Sequence, residues 1–538
     1  MLLVGTAEPI TKLPTIVRLM PMETTILVTT LVVAALFLIE GLRGFKRSPN
    51  LQAFFLMGKP LRIGWYVGTL AATNFSLGNM IYLGLIWGYF YGLSGTLWLW
   101  IGFTIAASTF YLFVRRFPCV QQYIEDRSNS GSVHEYLEKS FARQQGDSTA
   151  RRIRFAASLS TVLCLLIALT LEIYLAALLL SPLIGVEVWM VFLVVTALIC
   201  VYSAIGGFYS VVLTDIIQGC LLLIAVVALF FVIANHGLPI GDYSEIHAVS
   251  WRGFLFAPGW TGILSILGVT AGWYLVSMDT WQRACSCRDF RIASRGICYG
   301  TGIFLLGILA FTLIGAYDHL CLSHALTAQQ ESLFSGGWNP LTDFYLFIDR
   351  LPSWGPSLMG FIAVAFVMAG LSTADTFLIV CGHSFVSDLV VGVGQHRSIG
   401  ELKGAESRFF MGIARTVIVL MGVLVMLLFF LLRALDLLDN PLALFYLAYS
   451  IQFALLAPVV ASLWRRKPAP SVVLTALLVA VGVAVAWGFG FALAGKAGVQ
   501  QFVGLTIDEW IYFAPLPPIA VGFLVIGFGR AIQRSATA

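Results

Sequence analysis

The chain has 538 residues, of which 59% are hydrophobic and only 11% are charged, and its mean hydropathy is +0.90. Soluble domains carry about 25% charged residues, so this composition excludes a soluble enzyme, a disordered scaffold and a secreted disulfide-bonded module. The net charge of +5 is small, and most of the nine cysteines lie in apolar runs, where a free cysteine behaves as a small hydrophobe. We therefore expect a protein that is solvated by lipid.

Thirteen apolar stretches are long enough to cross a bilayer as helices, which takes about 20 residues each. Their centres lie near residues 32, 74, 104, 167, 194, 221, 272, 307, 372, 421, 452, 483 and 521. Strands of a membrane barrel are shorter and alternate in polarity. The sequence thus predicts an all-α polytopic membrane protein with 13 transmembrane helices. The lead segment 1–22 contains charged residues and no cleavage pattern, so we expect it to be retained.

The 32 lysines and arginines are distributed unequally between the two sides of this topology. The loops after odd-numbered helices, together with the C-terminus, hold 26 of them, and the other side holds six. Because cytoplasmic loops are enriched in positive charge, the N-terminus is expected outside and the C-terminus in the cytoplasm. This places the protein in the cell (inner) membrane as a multi-pass chain.

Two loops are long enough to contain structure of their own. The inner loop, about 116–154, contains HEYLEKSFARQQ and predicts a short surface helix. The outer loop, about 319–353, predicts short capping helices. The chain has no Walker A sequence, so ATP is not the expected energy source, and we expect no enzymatic activity.

The second and seventh apolar stretches have soft centres of small and polar residues. GTLAATNFSLGNM surrounds Asn74, and GVTAGWYLVSMD surrounds Gly272. Close helix packing favours such residues, and so does a broken helix whose freed backbone groups bind an ion and a substrate. Because the two stretches are five helices apart, as in inverted repeats, the broken-helix interpretation is favoured.

Two further stretches carry acidic residues. The ninth contains MAGLSTADT, in which Ser372, Thr373, Asp375 and Thr376 cluster in one turn. Hydroxyl and carboxylate oxygens are hard ligands that suit sodium, although hydroxyls also bond to their own helix. The sixth contains Asp215 near its inner end, where simple solvation is an alternative explanation.

These segments resemble the sodium:solute symporter family. The resemblance is carried by YSAIGGFYSVVLTDIIQ, AATNFS, DTWQRACSCRD and MAGLSTAD, which occur in the family's order along nearly the whole chain. It implies a leucine-transporter-like fold in one membrane domain, 1–538. Its parts are the extracytoplasmic segment 1–22, a leading helix 23–41, inverted five-helix repeats at 61–234 and 260–464, and two trailing helices at 470–533.

The resemblance also implies the ion sites. A first sodium ion is expected at the carbonyls of Ala72, Phe75 and Ala369 and the hydroxyls of Ser372 and Thr373. Asp215 would lie on the path by which this ion leaves toward the cytoplasm. A second sodium, found in some members, would be held here by Asp215, Ser372, Asp375 and Thr376.

The substrate is expected at mid-membrane between the two broken helices. Its candidate contacts are Asn74, Ser76, Gly78, Asn79, Glu172, Trp273, Tyr274, Ser277, Tyr446, Tyr449 and Gln452. Aromatic residues at helical spacing are also common in packing. Glu172 could pair with an amino group of the substrate, take part in proton coupling or bond to neighbouring helices. No free intramembrane lysine or arginine is expected near the substrate.

The sequence therefore predicts a sodium-coupled symporter that imports a small organic solute by alternating access, with a weak preference for an amino acid or related zwitterion or carboxylate. A proton-coupled carrier and a membrane sensory module are the alternatives. The expected partners are the solute, sodium ions and the bilayer. We expect no nucleic-acid partner, and one copy of the chain suffices for transport.

Overall fold

The computed structural model describes residues 20–58, 61–144, 146–236, 255–322, 355–438, 441–496, 501–502, 505–506 and 513–535. Within these ranges the chain is helical apart from one hairpin of two-residue strands, β1 and β2 (Gln501–Phe502 and Leu505–Thr506). Eleven helices of the described part are long and apolar enough to cross a membrane. The prediction of an all-helical, multi-pass membrane protein is confirmed, and the count of 13 helices stays a prediction.

The described residues of the first half of the chain form nine α-helices. They are α1 (Met20–Arg47), α2 (Leu51–Leu56), α3 (Ile63–Asn74), α4 (Trp87–Tyr91), α5 (Leu93–Arg116), α6 (Pro118–Glu125), α7 (Val133–Phe141), α8 (Ser148–Ile184) and α9 (Val188–His236). A π-helical segment, Gly78–Ile86, leads into α4.

The second half begins with α10 (Gly259–Thr270), α11 (Trp273–Val276), α12 (Met278–Cys285), α13 (Phe290–Leu322) and α14 (Gly355–His383). Helix α14 continues as the π-helical segment Ser384–Val393, and a short 3-10 turn, Ile399–Glu401, follows. The remaining helices are α15 (Gly404–Ala434), α16 (Pro441–Phe453), α17 (Leu456–Ala461), α18 (Pro470–Lys496) and α19 (Leu516–Ser535).

Both soft centres are breaks in the helices. Helix α3 stops at Asn74, and Phe75 has a ψ of 48°, outside the helical range. On the other side, Ser277 is extended, with φ −70° and ψ 116°, between α11 and α12. At both breaks, side chains from neighbouring helices bond to backbone groups beside the interruption.

Helix α9 is continuous in outline but bends at Gly207, whose φ of 64° and ψ of −157° are not helical. A Cβ at this position would lie 2.6 Å from the carbonyl oxygen of Phe54, so only glycine fits the close approach of α2. The bend explains the Gly206–Gly207 pair of the sequence. It separates the part of α9 before Gly207 from the part that carries Asp215.

Helix α14 lies at the centre of the described molecule. It packs against α1, α8 and α9, and it also contacts α3 and α12. The four polar residues clustered near its middle, Ser372, Thr373, Asp375 and Thr376, are all buried. The central position brings these polar groups to the broken end of α3.

The predicted surface helix of the inner loop exists as α7, but most of it is buried against α8. Charge pairing explains the difference from the prediction. Asp388 accepts hydrogen bonds from His134 Nδ1 and from Arg154 Nε, both at 2.8 Å. Although burial alone would raise the pKa of Glu135, Arg154 and Lys139 hold it below its ordinary value. The capping helices expected in 319–353 fall almost entirely outside the described residues.

Candidate functional site

The broken end of α3 meets two hydroxyls of α14. Ser372 Oγ lies 2.8 Å from the carbonyl oxygen of Ala72 and 2.6 Å from that of Ala369, and Thr373 Oγ1 lies 2.7 Å from the carbonyl oxygen of Thr73. A helix that stops leaves its last carbonyls without intrahelical partners. Four of the five residues predicted for the first sodium, all except Phe75, contribute to these contacts.

This group of oxygens has the chemistry that a sodium ion requires. Carbonyl and hydroxyl oxygens are hard, uncharged ligands, and a hydroxyl can turn its lone pairs toward a cation by rotating about one bond. Phe75, the fifth predicted residue, lies at the break itself, and its N–H still bonds to Ala71 and Ala72. The residues present therefore fit a monovalent hard cation.

Asp215 and Asp375 approach this site from α9 and α14. Asp215 Oδ2 accepts hydrogen bonds from Thr69 and, at 3.4 Å, from Thr73. Asp375 Oδ2 accepts from Tyr202 and, at 3.2 Å, from Thr214. The Oδ1 atom of each carboxylate is buried and has no hydrogen-bond partner within the described ranges. Each side chain thus retains one buried oxygen to bind a proton or a cation.

Arg283 also lies in this region. It is one of the 26 basic residues that the charge count placed in cytoplasmic loops. The side chain is fully buried, and Nη1 lies 3.0 Å from Asp279 Oδ2. Its Nη2 donates to Thr376 Oγ1 at 3.0 Å and lies 3.5 Å from Asp215 Oδ2. Its placement in a loop is corrected, because Arg283 belongs to the candidate span Gly259–Cys285. Its carboxylate partners mean that it is not a free cation. The spacing of Asp279 and Arg283, i and i+4 on a helix, is a signal that could have identified it.

A cavity of about 70 Å³ lies between the two broken helices. Seven predicted substrate contacts line it: Asn74, Ser76, Gly78, Asn79, Trp273, Tyr446 and Tyr449. The remaining lining residues, not predicted as substrate contacts, are Thr73, Leu83, Phe103, Val269, Thr270, Asp279, Thr373, Phe377, Leu442 and Phe445. They come from several helices and from both breaks.

Three of the other predicted substrate contacts do not line the cavity and form hydrogen bonds near the second break. Gln452 Nε2 donates to the carbonyl oxygen of Val276 at 2.6 Å, and Ser277 Oγ donates to Asp279. Tyr274 accepts a hydrogen bond from Thr301 at 3.0 Å. Gln452 thus satisfies a backbone carbonyl at the interruption between α11 and α12, whereas the other two bonds join side chains close to it.

Glu172, the fourth of these predicted contacts, bonds to backbone N–H groups at the first break. Its Oε2 accepts a hydrogen bond from the N–H of Leu77 at 2.8 Å, and its Oε1 lies 3.4 Å from the N–H of Gly78. These N–H groups begin the second half of the broken helix, where a carboxylate is favourable. Of the three roles considered for Glu172, the contacts correspond to bonding with a neighbouring helix.

Comparison with known proteins identifies the family. The model of the sodium:solute symporter family matches residues 54–464. The chain is 26% identical over 362 residues to the high-affinity proline transporter of Bacillus subtilis, covering 65% of this chain and 71% of the relative. It is 26% identical over 303 residues to the sodium/pantothenate symporter of Escherichia coli, covering 54% and 59%.

A solved structure shares the fold. The substrate-bound, outward-open structure of a Na⁺-coupled sialic acid symporter aligns with 94% of this chain and 97% of its own, with a TM-score of 0.70 and 18% identity. Transport relatives and many apolar helices together indicate a multi-pass membrane transporter that acts on a small molecule. The chain belongs to the sodium:solute symporter family.

Proposed function

We propose that this protein is a symporter that couples sodium entry to the import of a small organic solute by alternating access. The observation that carries the proposal is the contact of Ser372 and Thr373 with the carbonyls at the broken end of α3, directly beside a cavity. Sodium at Ala72, Phe75, Ala369, Ser372 and Thr373 would join α3 to α14. Solute binding and ion binding would then favour the same arrangement of the two helices.

The ion gradient supplies enough free energy for accumulation. One charge that crosses a potential of 100 mV provides about 2.3 kcal/mol, and a tenfold sodium gradient adds about 1.4 kcal/mol. The sum, about 3.7 kcal/mol, supports an accumulation of several hundredfold for a neutral solute with one ion per cycle.

For the architecture we propose thirteen membrane crossings. Division of the candidate span Val188–Phe231 at the Gly207 bend adds one crossing to the eleven candidates. The broken segment from α3 to α4 adds another, which gives thirteen. The leading helix 23–41, the repeats 61–234 and 260–464, and the trailing segment 470–533 would then form one transport domain.

The orientation of this domain predicts which loops reagents reach. With a cytoplasmic C-terminus in the inner membrane, cysteines that replace Arg143 or Arg466 should react with a membrane-impermeant maleimide only after the membrane is opened. A cysteine that replaces Glu187, between α8 and α9, should react in intact cells. The native exposed cysteines are replaced first. Labelling of positions 143 and 187 from the same side would overturn this topology.

A second sodium ion is proposed between Asp215, Ser372, Asp375 and Thr376. The unpartnered Oδ1 atoms of Asp215 and Asp375 support it, because two buried carboxylates repel each other unless a cation or a proton lies nearby. Arg283 neutralises only part of this charge, since it is shared between Asp215 and Asp279. The same unpartnered oxygens favour the second candidate function, a proton-coupled carrier with Asp375 as the proton site.

Uptake into proteoliposomes separates these functions. We expect a sodium gradient without a pH gradient to drive accumulation of the solute, and a pH gradient without sodium to drive none. Accumulation driven by the pH gradient alone would favour the proton-coupled carrier. Solute binding without uptake under either gradient would instead favour the sensory module.

An amino acid would need Glu172 for its amino group and the positive end of the half-helix for its carboxylate. These two features bond to each other, so neither is free for a zwitterion. The charge of the solute therefore depends on the other residues around the cavity.

A further inference from the structure

One carboxylate lines the cavity, and two more bond to residues that line it. Asp279 lines it directly, Glu172 bonds to the backbone of Gly78, which also lines it, and Asp215 bonds to the lining residue Thr73. Against these three carboxylates stands one guanidinium, that of Arg283. With both proposed sodium ions bound, and Asp375 counted beside Asp215, four carboxylates still face only three positive charges. In the part of the chain that the structure describes, no lysine, arginine or histidine lies within ion-pair distance of Glu172. The electrostatic potential in the cavity therefore favours a positive group.

The helix start and the guanidinium, the two groups best suited to hold an anion, are already engaged. The N–H groups of Leu77 and Gly78 point to Glu172, although a helix start is otherwise a ready anion site. The guanidinium of Arg283 lies behind Asp279 and donates to Asp279 and Thr376. No cationic side chain lines the cavity within the described residues. An anionic solute would have to break one of these pairs. The Asp279 oxygens also have partners, Ser277 Oγ and Arg283 Nη1, but each oxygen keeps a second lone pair for a cation.

Aromatic rings supply the remaining wall. The ring centroids of Trp273 and Tyr449 are 4.8 Å apart at 64°, and those of Phe445 and Tyr449 are 5.9 Å apart at 32°. Phe103 and Phe377 add two more rings to the apolar lining, which also includes Leu83, Val269 and Leu442. Aromatic faces next to a carboxylate are the combination that binds ammonium groups, through cation–π attraction and a charged hydrogen bond.

We propose that the transported solute is a small organic cation, an amine or alkylammonium group on a short apolar body. The charged group lies toward Asp279, and the body lies against Trp273, Phe445 and Tyr449. A cavity of about 70 Å³ has room for roughly five waters at 10–15 Å³ each, which suits a compact solute. This assignment rests on the proposed symport function and specifies its substrate.

Matched probes test the charge preference. The purified full-length chain is titrated with two series that differ in charge at constant shape: choline, 3,3-dimethylbutan-1-ol and 3,3-dimethylbutyrate, and 3-methylbutylammonium, 3-methylbutan-1-ol and 3-methylbutyrate. Binding is measured by thermal stabilisation and tryptophan fluorescence. In at least one series we expect the cation to bind tenfold or more tightly than its neutral partner, and the anion most weakly. If no cation binds more tightly than its neutral partner, or if an anion binds best, the proposal is wrong.

Variants of Asp279 show whether that carboxylate sets the preference. Asp279→Asn should bring the cation-to-neutral ratio close to one and should improve binding of the anion, because it releases Nη1 of Arg283. Asp279→Glu, the matched control, should keep a ratio above one. A ratio that Asp279→Asn leaves unchanged would place the recognition elsewhere and overturn the assignment.

The same titrations in sodium chloride and in potassium chloride separate this proposal from the symport function. If sodium strengthens binding but the probes rank by anionic charge, the symporter proposal stands and the cation proposal fails. If the cations bind best but equally in both salts, sodium coupling fails instead.

Discussion

Replacement of both Ser372 and Thr373 with alanine should lower the apparent sodium affinity by tenfold or more. The two hydroxyls contact the carbonyl oxygens of Ala72, Ala369 and Thr73 at 2.6–2.8 Å, and alanine removes them with little loss of apolar packing. An interaction between a charge and a hydrogen-bonding group contributes about 1.5–3 kcal/mol, so the loss of two should exceed a factor of ten. The measurement is solute uptake as a function of sodium concentration.

Two controls separate ion binding from a general effect on folding. Thr373→Ser keeps the hydroxyl and should retain most of the sodium affinity. Ser158→Ala is the second control. It removes a buried hydroxyl of α8 that donates to the carbonyl oxygen of Ser384 at 2.9 Å, just beyond the end of α14 and away from the broken end of α3. This variant should leave the sodium dependence unchanged. Normal expression of the double variant with an unaltered sodium curve would disprove the first site.

The breaks in the two helices could be predicted from sequence because their signal is local. A bilayer-spanning helix favours leucine, isoleucine and valine, so the small and polar residues around Asn74 and Gly272 stand out. The same reasoning identified the hydroxyls of α14. Local composition also identified five of the residues that line the cavity, because residues at or beside a break face the opening. They are Asn74, Ser76, Gly78, Asn79 and Trp273.

The partners of the charged residues could not be predicted in this way. Glu172 bonds to backbone groups 95 residues earlier in the chain, and only the packing of α8 against the break brings them together. Arg283 was counted among loop residues because charge counting treats each arginine near a helix end as exposed. Its burial depends on Asp279, Asp215 and Thr376, which come from three separate elements.

Only some of the aromatic residues that line the cavity could be predicted from sequence, for a similar reason. Trp273 lies beside a predicted break, and Tyr446 and Tyr449 are aromatic residues at helical spacing in the eleventh apolar stretch. Phe103 and Phe377 lie on α5 and α14 among many other apolar residues. Nothing in the sequence distinguishes them from lipid-facing phenylalanines, and their role follows from the side of the helix that faces the cavity.

Replacement of Asp375 should have the second large effect, which is on how solute uptake depends on sodium concentration. If a second sodium binds between Asp215, Ser372, Asp375 and Thr376, uptake by the unaltered protein should rise sigmoidally with sodium, with a Hill coefficient clearly above one. Asp375→Asn removes the charge and keeps the shape, so it should bring the coefficient toward one. The first site, whose ligands are carbonyls and hydroxyls, should remain usable.

The contacts of Asp375 provide a control that tests the charge itself. Tyr202 donates to Oδ2, whereas Oδ1 is the oxygen without a partner in the described chain. Tyr202→Phe therefore removes a hydrogen bond from the carboxylate but keeps its charge and its free oxygen, and the sodium curve should remain sigmoidal. A buried carboxylate must be neutralised by a proton, a cation or a partner. If uptake by the unaltered protein is hyperbolic in sodium, or if Asp375→Asn leaves the curve's shape unchanged, the second sodium is excluded. Asp375 then carries a proton or serves as the hydrogen-bond partner that joins α14 to Tyr202 and Thr214 of α9.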